Sequence, residues 1–250
     1  MKPHIKLATA RTPDGGEMEL YQHDRDFLIK INGQELMNSR RHESEQELAR
    51  LGCAHLSGRK APCVLVGGLG MGYTLRQALD MLAPGAHVVV SELLSAVVGW
   101  NREYLRDLNG QPLEDKRTEL IIGDIFQLIS QSKGRFDAIL LDVDNGPSAI
   151  TDSGNQHLYS PTGIQACHRA LRKPGSLAVW SAEPGKVFEQ LLIRCGFHVR
   201  RYRGETYQGS NSKPLFIWVA AEDKSILPPG GGKPRLPGQK GPRETRRDPR

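Results

Sequence analysis

Residues 63–72 read Cys-Val-Leu-Val-Gly-Gly-Leu-Gly-Met-Gly, and they give the clearest indication of the fold. Its four apolar residues are long enough for a short strand, the glycines make a tight turn, and helix-compatible sequence begins at Tyr73. Glycine adopts positive φ without a steric penalty and lets the backbone approach a ligand closely. A strand, a glycine turn and a helix are typical of the first βα unit of a nucleotide-binding fold, although a turn without a ligand has the same pattern.

The spacing of the glycines narrows the class of ligand. Gly68, Gly70 and Gly72 follow the pattern Gly-x-Gly-x-Gly, whereas the dinucleotide motif Gly-x-Gly-x-x-Gly requires a glycine at position 73, which is tyrosine. This difference disfavours NAD and favours the nucleoside of an S-adenosyl compound, which carries no pyrophosphate. We therefore predict that Gly67, Gly68, Gly70 and Gly72 form part of an S-adenosyl site.

Strand and helix segments alternate through the chain after position 62. This alternation implies a parallel, doubly wound α/β sheet, and a polar loop without a helix before the last strand predicts an antiparallel pair at the end. The sequence thus predicts a mostly parallel, seven-stranded sheet of the methyltransferase type, which is Rossmann-like. The predicted strands are 63–67, 86–91, 118–122, 136–142, 175–181, 197–203 and 215–220, and the predicted helices are 72–82, 95–108, 125–132, 161–172 and 184–195.

The two ends of the chain differ from this central part. Alternating segments at 18–22 and 27–31 predict a small N-terminal β element, and a helix is expected over 42–56. After Ser225 the composition changes to Pro, Gly, Lys and Arg, which cannot bury enough apolar area to offset the entropy of ordering. We predict an N-terminal element (1–56), an S-adenosyl-binding α/β domain (57–224) and a disordered basic tail (225–250).

Charge and cysteine content limit the functional classes. The net charge is +6, but the tail holds seven basic and two acidic residues, so the body is close to neutral. A solvated tail is favoured over a nucleic-acid-binding arm, and nucleic acid is expected at most as a weak contact through the tail.

Four scattered cysteines disfavour disulfides and metal sites, and no apolar run is long enough to span a membrane. A cytoplasmic location without a bound metal is expected.

Two acids follow predicted strands at the edge where a ligand of such a sheet lies. Glu92 comes after the second strand, and a carboxylate there can accept hydrogen bonds from a ribose diol; the alternative is a solvated acid at a helix start. Asp124 follows the third strand and could accept from an adenine amino group, or it could serve as the N-cap of the next helix. We predict that both residues bind the nucleoside.

Asp142 and Asp144 end the fourth strand and are the acids nearest the expected reacting centre. A sulfonium ligand is cationic and an amine acceptor must lose a proton, so carboxylates there would serve both needs. The alternative is turn chemistry, because Asp144-Asn145-Gly146-Pro147 is a strong turn sequence. The polar loop over 143–159 is either an active-site lid or a disordered insertion. Tyr159 and Tyr207 are the predicted substrate-binding residues.

The chain resembles the spermidine synthase family, which has the class I methyltransferase fold. The similarity lies in the glycine stretch with its continuation Tyr73-Thr-Leu-Arg76, in Ser91-Glu-Leu93, in Gly123-Asp124, and in Phe136-Asp-Ala-Ile-Leu-Leu-Asp142. The resemblance implies that a polyamine precursor attacks decarboxylated S-adenosylmethionine in an aminopropyl transfer. It implies that Asp142 is the proton acceptor, with Asp144 supporting it electrostatically.

The chain departs from the family pattern at several places. Gly70 stands where family members usually carry an acid that holds the aminopropyl donor, and Leu94 replaces a second acid after Glu92. The Tyr-His pair that usually precedes the helix glutamate appears as Glu45-Gln46. The departure at Gly70 favours a second hypothesis, methyl transfer from intact S-adenosylmethionine to a small acceptor. A third hypothesis is a non-catalytic nucleoside-binding protein; in each case a homodimer is possible.

Overall fold

The computed structural model describes residues 3–143, 146–147, 157–204 and 215–232. Within these residues the strands are β1 (Ile5–Arg11), β2 (Glu17–His23), β3 (Asp26–Ile31), β4 (Gln34–Asn38), β5 (Cys63–Gly67), β6 (His87–Glu92), β7 (Thr118–Ile122), β8 (Phe136–Leu141), β9 (Leu171–Ser181), β10 (His198–Gly204) and β11 (Leu215–Ala221). The α-helices are α1 (Glu43–Cys53), α2 (Tyr73–Met81), α3 (Ser95–Glu103), α4 (Arg106–Asn109), α5 (Ile125–Gln131), α6 (Pro161–Ala170) and α7 (Lys186–Arg194).

The central sheet has the order β10-β11-β9-β8-β5-β6-β7. Strands β9, β8, β5, β6 and β7 pair in parallel, and β11 pairs antiparallel with both β9 and β10. The predicted mostly parallel, seven-stranded sheet is therefore confirmed. Strand order reverses between β5 and β8, which places the expected ligand site at the carboxyl ends of these two strands.

Strand β8 lies at the centre of the sheet because every residue from Phe136 to Leu141 is buried. Strand alternation sends neighbouring side chains to opposite faces. Leu140 faces the layer formed by α1 and α2, whereas Leu141 faces the layer formed by α5, α6 and α7. Asp142 continues this alternation on the α1 side of the sheet.

The N-terminal segment is larger than the sequence predicts. It forms a four-stranded antiparallel meander, β1-β2-β3-β4, whereas only the segments corresponding to β2 and β3 are predicted. Asn32 and Gly33 both have positive φ, at 50° and 79°, as a type I′ hairpin turn requires. β1 lacks a buried face, and β4 has no strongly apolar alternation, so neither leaves a clear signal in the sequence.

Helix boundaries also differ from the predicted ones. The helix predicted over 95–108 is divided into α3 and α4, because the amides of Tyr104 and Leu105 both donate to the carbonyl of Trp100 and widen the turn. The helix predicted to reach 172 ends at Ala170, and β9 starts directly after it. Ser160 caps α6 by accepting from the amide of Gly163, at 3.2 Å.

Residues just after position 225 pack on the body. A short 3₁₀ turn spans Lys224–Ile226, Leu227 is 9% exposed, and the hydroxyl of Tyr202 donates to the carbonyl of Pro228 at 2.6 Å. The predicted disorder from 225 onwards thus does not describe residues 225–232. Most of the basic tail lies outside the described residues.

Candidate active site

The glycine loop between β5 and α2 lies against the carboxyl end of β8. Gly68 has φ +87°, and a Cβ at this position would overlap the carbonyl oxygen of Asp142. The amide of Asp142 donates to the carbonyl of Gly67 at 2.9 Å, and the amide of Gly68 donates to the carbonyl of Ser91 at 2.9 Å. The loop, the end of β6 and the end of β8 therefore meet at one point of the sheet edge.

Two asparagines that sequence reasoning missed hold the outer part of the loop. Asn101 on α3 donates to the carbonyl of Gly70, and Asn109 on α4 donates to the carbonyl of Met71, each at 2.8 Å. Asn109 also donates to Asn101 at 2.8 Å, and both residues are 4% exposed. Buried polar groups cost free energy unless they are paired, so this network stabilises one loop conformation. Two asparagines on the apolar side of a predicted helix are the signal that could have identified them.

Met37 on β4 contacts the loop from the N-terminal sheet. A Cβ at Gly70, which has φ +51°, would lie 2.9 Å from Met37 Cε. The departure from the family pattern at position 70 thus coincides with an apolar side chain beside it. An acid here would have to displace the end of Met37.

Glu92 is buried at the end of β6 and connects that strand to the glycine loop. One carboxylate oxygen accepts from the amide of Leu69 at 3.0 Å, and the other accepts from the amide of Leu94 at 2.8 Å. Burial raises the pKa of Glu92, while these amide hydrogen bonds oppose the rise. A carboxylate has about four acceptor positions, so the two oxygens retain capacity for a diol.

Asp124 lies at the end of β7 as the N-cap of α5. Its carboxylate accepts from the amide of Phe126 at 2.7 Å, which is the capping role left open by the sequence. Beside it, the side chains of Leu93 and Ile122 are 48% and 55% exposed. Apolar side chains exposed at the carboxyl ends of two adjacent strands form a surface on which a planar base could lie.

Asp142 follows β8 directly and is held by α2. Thr74 Oγ1 donates to Asp142 Oδ2 at 2.7 Å. Burial raises the pKa of Asp142 to about 6, and the Thr74 hydrogen bond opposes this rise. A carboxylate with a pKa near 6 is a suitable proton acceptor at neutral pH.

Glu45, in the first turn of α1, lies at the same carboxyl end of β8 as Asp142. It was not among the predicted site residues. Burial raises the pKa of Glu45 to about 7, and the charge of Asp142 contributes to the rise. Its own carbonyl oxygen is 3.4 Å from Thr74 Oγ1. The sequence contained a signal in the departure at Glu45-Gln46, but only the packing of α1 on β8 brings the two acids together.

The remaining predicted site residues lie apart from this pair or outside the described residues. The hydroxyl of Tyr159 donates to the carbonyl of Val143 at 3.3 Å, and its ring packs edge-on against Phe188 on the α7 side of the sheet. Asp144 and Tyr207 lie outside the described residues. The binding roles of Tyr159, Glu92 and Asp124 stay predictions.

In the ranges that the structure describes, no helix is long and apolar enough to cross a membrane. The same ranges contain no group of three or more His, Cys, Asp or Glu side chains arranged to hold a metal ion.

Solved structures with similar folds include two spermidine synthases. One was determined with the transition-state analogue AdoDATO and the other comes from Thermotoga maritima; they have TM-scores of 0.72 with 18% and 19% identity. Each comparison covers 90% of this chain and 76% of the other chain. At these identities the likeness concerns the fold, and it confirms the predicted fold class.

Curated relatives match over part of the chain. A polyamine aminopropyltransferase of Saccharolobus islandicus is 31% identical over 121 residues, which are 48% of this chain and 39% of the relative. A polyamine aminopropyltransferase of Pseudomonas syringae pv. tomato is 29% identical over 123 residues, covering 48% and 40% respectively. The chain therefore spans about two fifths of the length of these relatives.

The family model described as the spermine/spermidine synthase domain matches residues 46–193, more than half of the chain. The match includes the glycine loop, Glu92 and Asp142, and it begins one residue after Glu45. On this match, the chain belongs to the spermine/spermidine synthase family.

Proposed function

We propose that the protein transfers an aminopropyl group from decarboxylated S-adenosylmethionine to an aliphatic amine. The observation that carries this proposal is the position of Asp142, a carboxylate with a raised pKa directly beside the glycine loop. The family membership and the names of the curated relatives support the same reaction.

The donor's nucleoside would lie along the edge formed by the glycine loop, Glu92 and Asp124. Glu92 would accept hydrogen bonds from the ribose hydroxyls, and the exposed side chains of Leu93 and Ile122 would contact the adenine ring. A donor bound in this way would have its sulfonium over the loop, near the carboxyl end of β8. The negative charge of Asp142 would stabilise a cationic donor there.

The reaction then proceeds as a displacement at the carbon next to sulfur. The amine nitrogen attacks this carbon, the C–N bond forms, and the C–S bond breaks with its electron pair moving to sulfur, which leaves as the thioether methylthioadenosine. An amine that arrives as ammonium must first lose a proton, and Asp142 would accept it. The secondary amine product leaves protonated.

Methyl transfer from intact S-adenosylmethionine is the second candidate. Gly70, with Met37 beside it, provides no acid for the free ammonium of an aminopropyl donor. This observation favours a donor recognised mainly through its nucleoside.

Calorimetry with S-adenosylmethionine, its decarboxylated form and methylthioadenosine distinguishes these candidates. We expect tighter binding of the decarboxylated donor, and turnover with putrescine that is lost in Asp142→Asn. Asp80→Asn is the matched control, because Asp80 pairs with Arg76 on the exposed side of α2. Tight binding of only the carboxylated donor would support methyl transfer instead, and absence of binding by all three would exclude both reactions.

A further inference from the structure

Helix α1 packs closely against the centre of the sheet, and this packing determines the position of its first turn. A Cβ at Gly52 would overlap Leu140 Cδ2, and Ser176 Oγ on β9 donates to the carbonyl of Gly52 at 2.7 Å. Leu48 and Ala49 are fully buried in the same contact. Because the helix sits this close to β8, Glu45 in its first turn reaches the carboxyl end of that strand.

Thr74 connects the two acidic segments at that end. Its hydroxyl donates to Asp142 Oδ2 at 2.7 Å and lies 3.4 Å from the carbonyl oxygen of Glu45. Thr74 is itself 2% exposed, whereas Glu45 and Asp142 keep part of their surface open. The pair is therefore held in place and still accessible to a small molecule.

Neither carboxylate has a cationic partner within the described ranges. No lysine, arginine or histidine in these ranges forms an ion pair with Glu45 or Asp142. The groups that act on Glu45 include Asp142 directly after β8, Tyr73 on α2, and Ser44 and Glu43 on α1 itself. Two adjacent carboxylates without a cation repel each other, so the pair holds a proton or takes up a positive charge.

An aromatic side chain stands next to the pair on the sheet. Val179 pairs with Leu141, so Trp180 and Asp142 occupy the next position of two adjacent parallel strands. Trp180 packs on the α1 side of the sheet, and its buried Nε1 has no hydrogen-bond partner in the part of the chain that the structure describes. An indole at this position could contact the methylene groups of an alkylamine and stabilise its charge.

We propose that Glu45 and Asp142 form a two-carboxylate site that binds the protonated amine acceptor, with Glu45 as an amine-binding residue supplied from outside the glycine loop. The inference rests on the proposed aminopropyl transfer and adds how its acceptor is recognised. In this inference, Glu45 on α1 supplies a negative charge to the site, whereas Gly70 in the glycine loop carries no charge.

The proton balance of this site follows from the raised pKa values of both groups. Burial and mutual repulsion raise the pKa of both carboxyls, so we expect the free pair to share one proton and carry one negative charge near pH 6.5. Binding of an ammonium displaces that proton to solvent. During the reaction the ammonium gives one proton back to the pair as its nitrogen attacks the donor carbon, so the cycle ends with the pair in its starting state.

Calorimetry of putrescine binding tests this site, in the presence of methylthioadenosine and in two buffers of different ionisation enthalpy. At pH 6.5 we expect close to one proton released per amine bound. Glu45→Gln should abolish most of this release and weaken putrescine binding by roughly ten- to a hundredfold, since a hydrogen bond to a charged group is lost. Glu45→Asp should restore part of both effects.

Glu47→Gln is the matched control, because Glu47 lies on the same helix and pairs with Arg50 at the surface. It should leave proton release and affinity unchanged. If every variant binds methylthioadenosine as the native protein does and Glu45→Gln keeps native putrescine affinity and proton release, the inference is wrong while the proposed function stands. If the native protein binds no methylthioadenosine, it is the proposed function that fails.

Discussion

Gly68 and Asp142 are in backbone contact: a Cβ on Gly68 would overlap the carbonyl oxygen of Asp142. The glycine loop and the candidate proton acceptor are therefore parts of one rigid arrangement. A change in the loop that moves this carbonyl also moves the acid. The contact explains why a glycine is required at position 68 even before a ligand is considered.

The substitution Gly68→Ala tests this contact. We expect the free energy of unfolding to fall by about 2–4 kcal/mol, because strain at positive φ adds to a clash with fixed backbone. Methylthioadenosine affinity, measured by calorimetry, should fall at least tenfold.

Gly58→Ala serves as its control, because Gly58 has a similar φ of +85° but open space where a Cβ would lie. It should cost only the conformational strain of about 1–2 kcal/mol and leave affinity unchanged. Equal losses in the two variants would show that the contact with Asp142 contributes nothing.

Asp142→Asn removes the candidate proton acceptor while keeping its shape. We expect kcat to fall by roughly 10²–10⁴-fold, as for the loss of a general base, with methylthioadenosine affinity within a factor of three. In the native protein, kcat/KM should rise with pH through about 6–7, because the carboxyl pair must lose its proton to accept another. A rate that is independent of pH between 5 and 8 would contradict this role.

The carboxyl pair also predicts how stability depends on pH. The pKa of Glu45 is raised from 4.5 to about 7, so between these values the folded protein binds a proton that the unfolded chain releases. This contribution to stability is fully present below pH 4.5 and is lost as the pH rises through 7. Glu45→Gln should therefore unfold with a free energy about 1–2 kcal/mol higher than the native protein at pH 8.

At pH 4 this difference should be close to zero, because Glu45 is protonated in both states. Urea denaturation at the two pH values measures the effect, and Glu47→Gln should show no such dependence. A stability difference of the same size at both pH values would mean that Glu45 does not titrate in this range.

Asn101→Ala tests the network that holds the glycine loop. The substitution removes the donor to the carbonyl of Gly70 and one of the two acceptors of Asn109 Nδ2, so we expect a loss of about 2 kcal/mol in the free energy of unfolding. Donor affinity should fall with it, because the loop loses its fixed conformation.

Arg102→Ala is the control for this variant. Arg102 is the next residue on α3, and its ion pair with Glu114 is exposed and long, at 3.8 Å, so its replacement should cost less than about 0.5 kcal/mol. Chemical denaturation together with calorimetry distinguishes the two variants. If Asn101→Ala keeps native donor affinity, the network supports only stability.

Much of the fold could be predicted because its signals are local. The strand predicted over 136–142, the glycine turn after β5 and the helix start predicted at 161 each depend on neighbouring residues, so the sequence contains them directly. The edges of the N-terminal meander could not be predicted, since β1 lacks a buried face and is defined by its pairing with β2.

In the candidate site, the acids that directly follow strands could be predicted from their positions in the chain. Glu92 and Asp142 stand at the carboxyl ends of β6 and β8, and a parallel sheet brings those ends to one edge whatever the rest of the chain does. The glycine loop belongs to the same edge for the same reason.

Residues from distant parts of the chain join these acids through the packing of the folded protein. Glu45 reaches Asp142 because Gly52 lets α1 lie directly on Leu140, and Met37 reaches Gly70 because β4 pairs into the N-terminal meander. These placements depend on close packing between segments far apart in the chain, and no local pattern of hydrophobicity or spacing specifies such contacts. Glu45 thus joins the pair only through the fold, whereas the position of Asp142 could be predicted from the sequence.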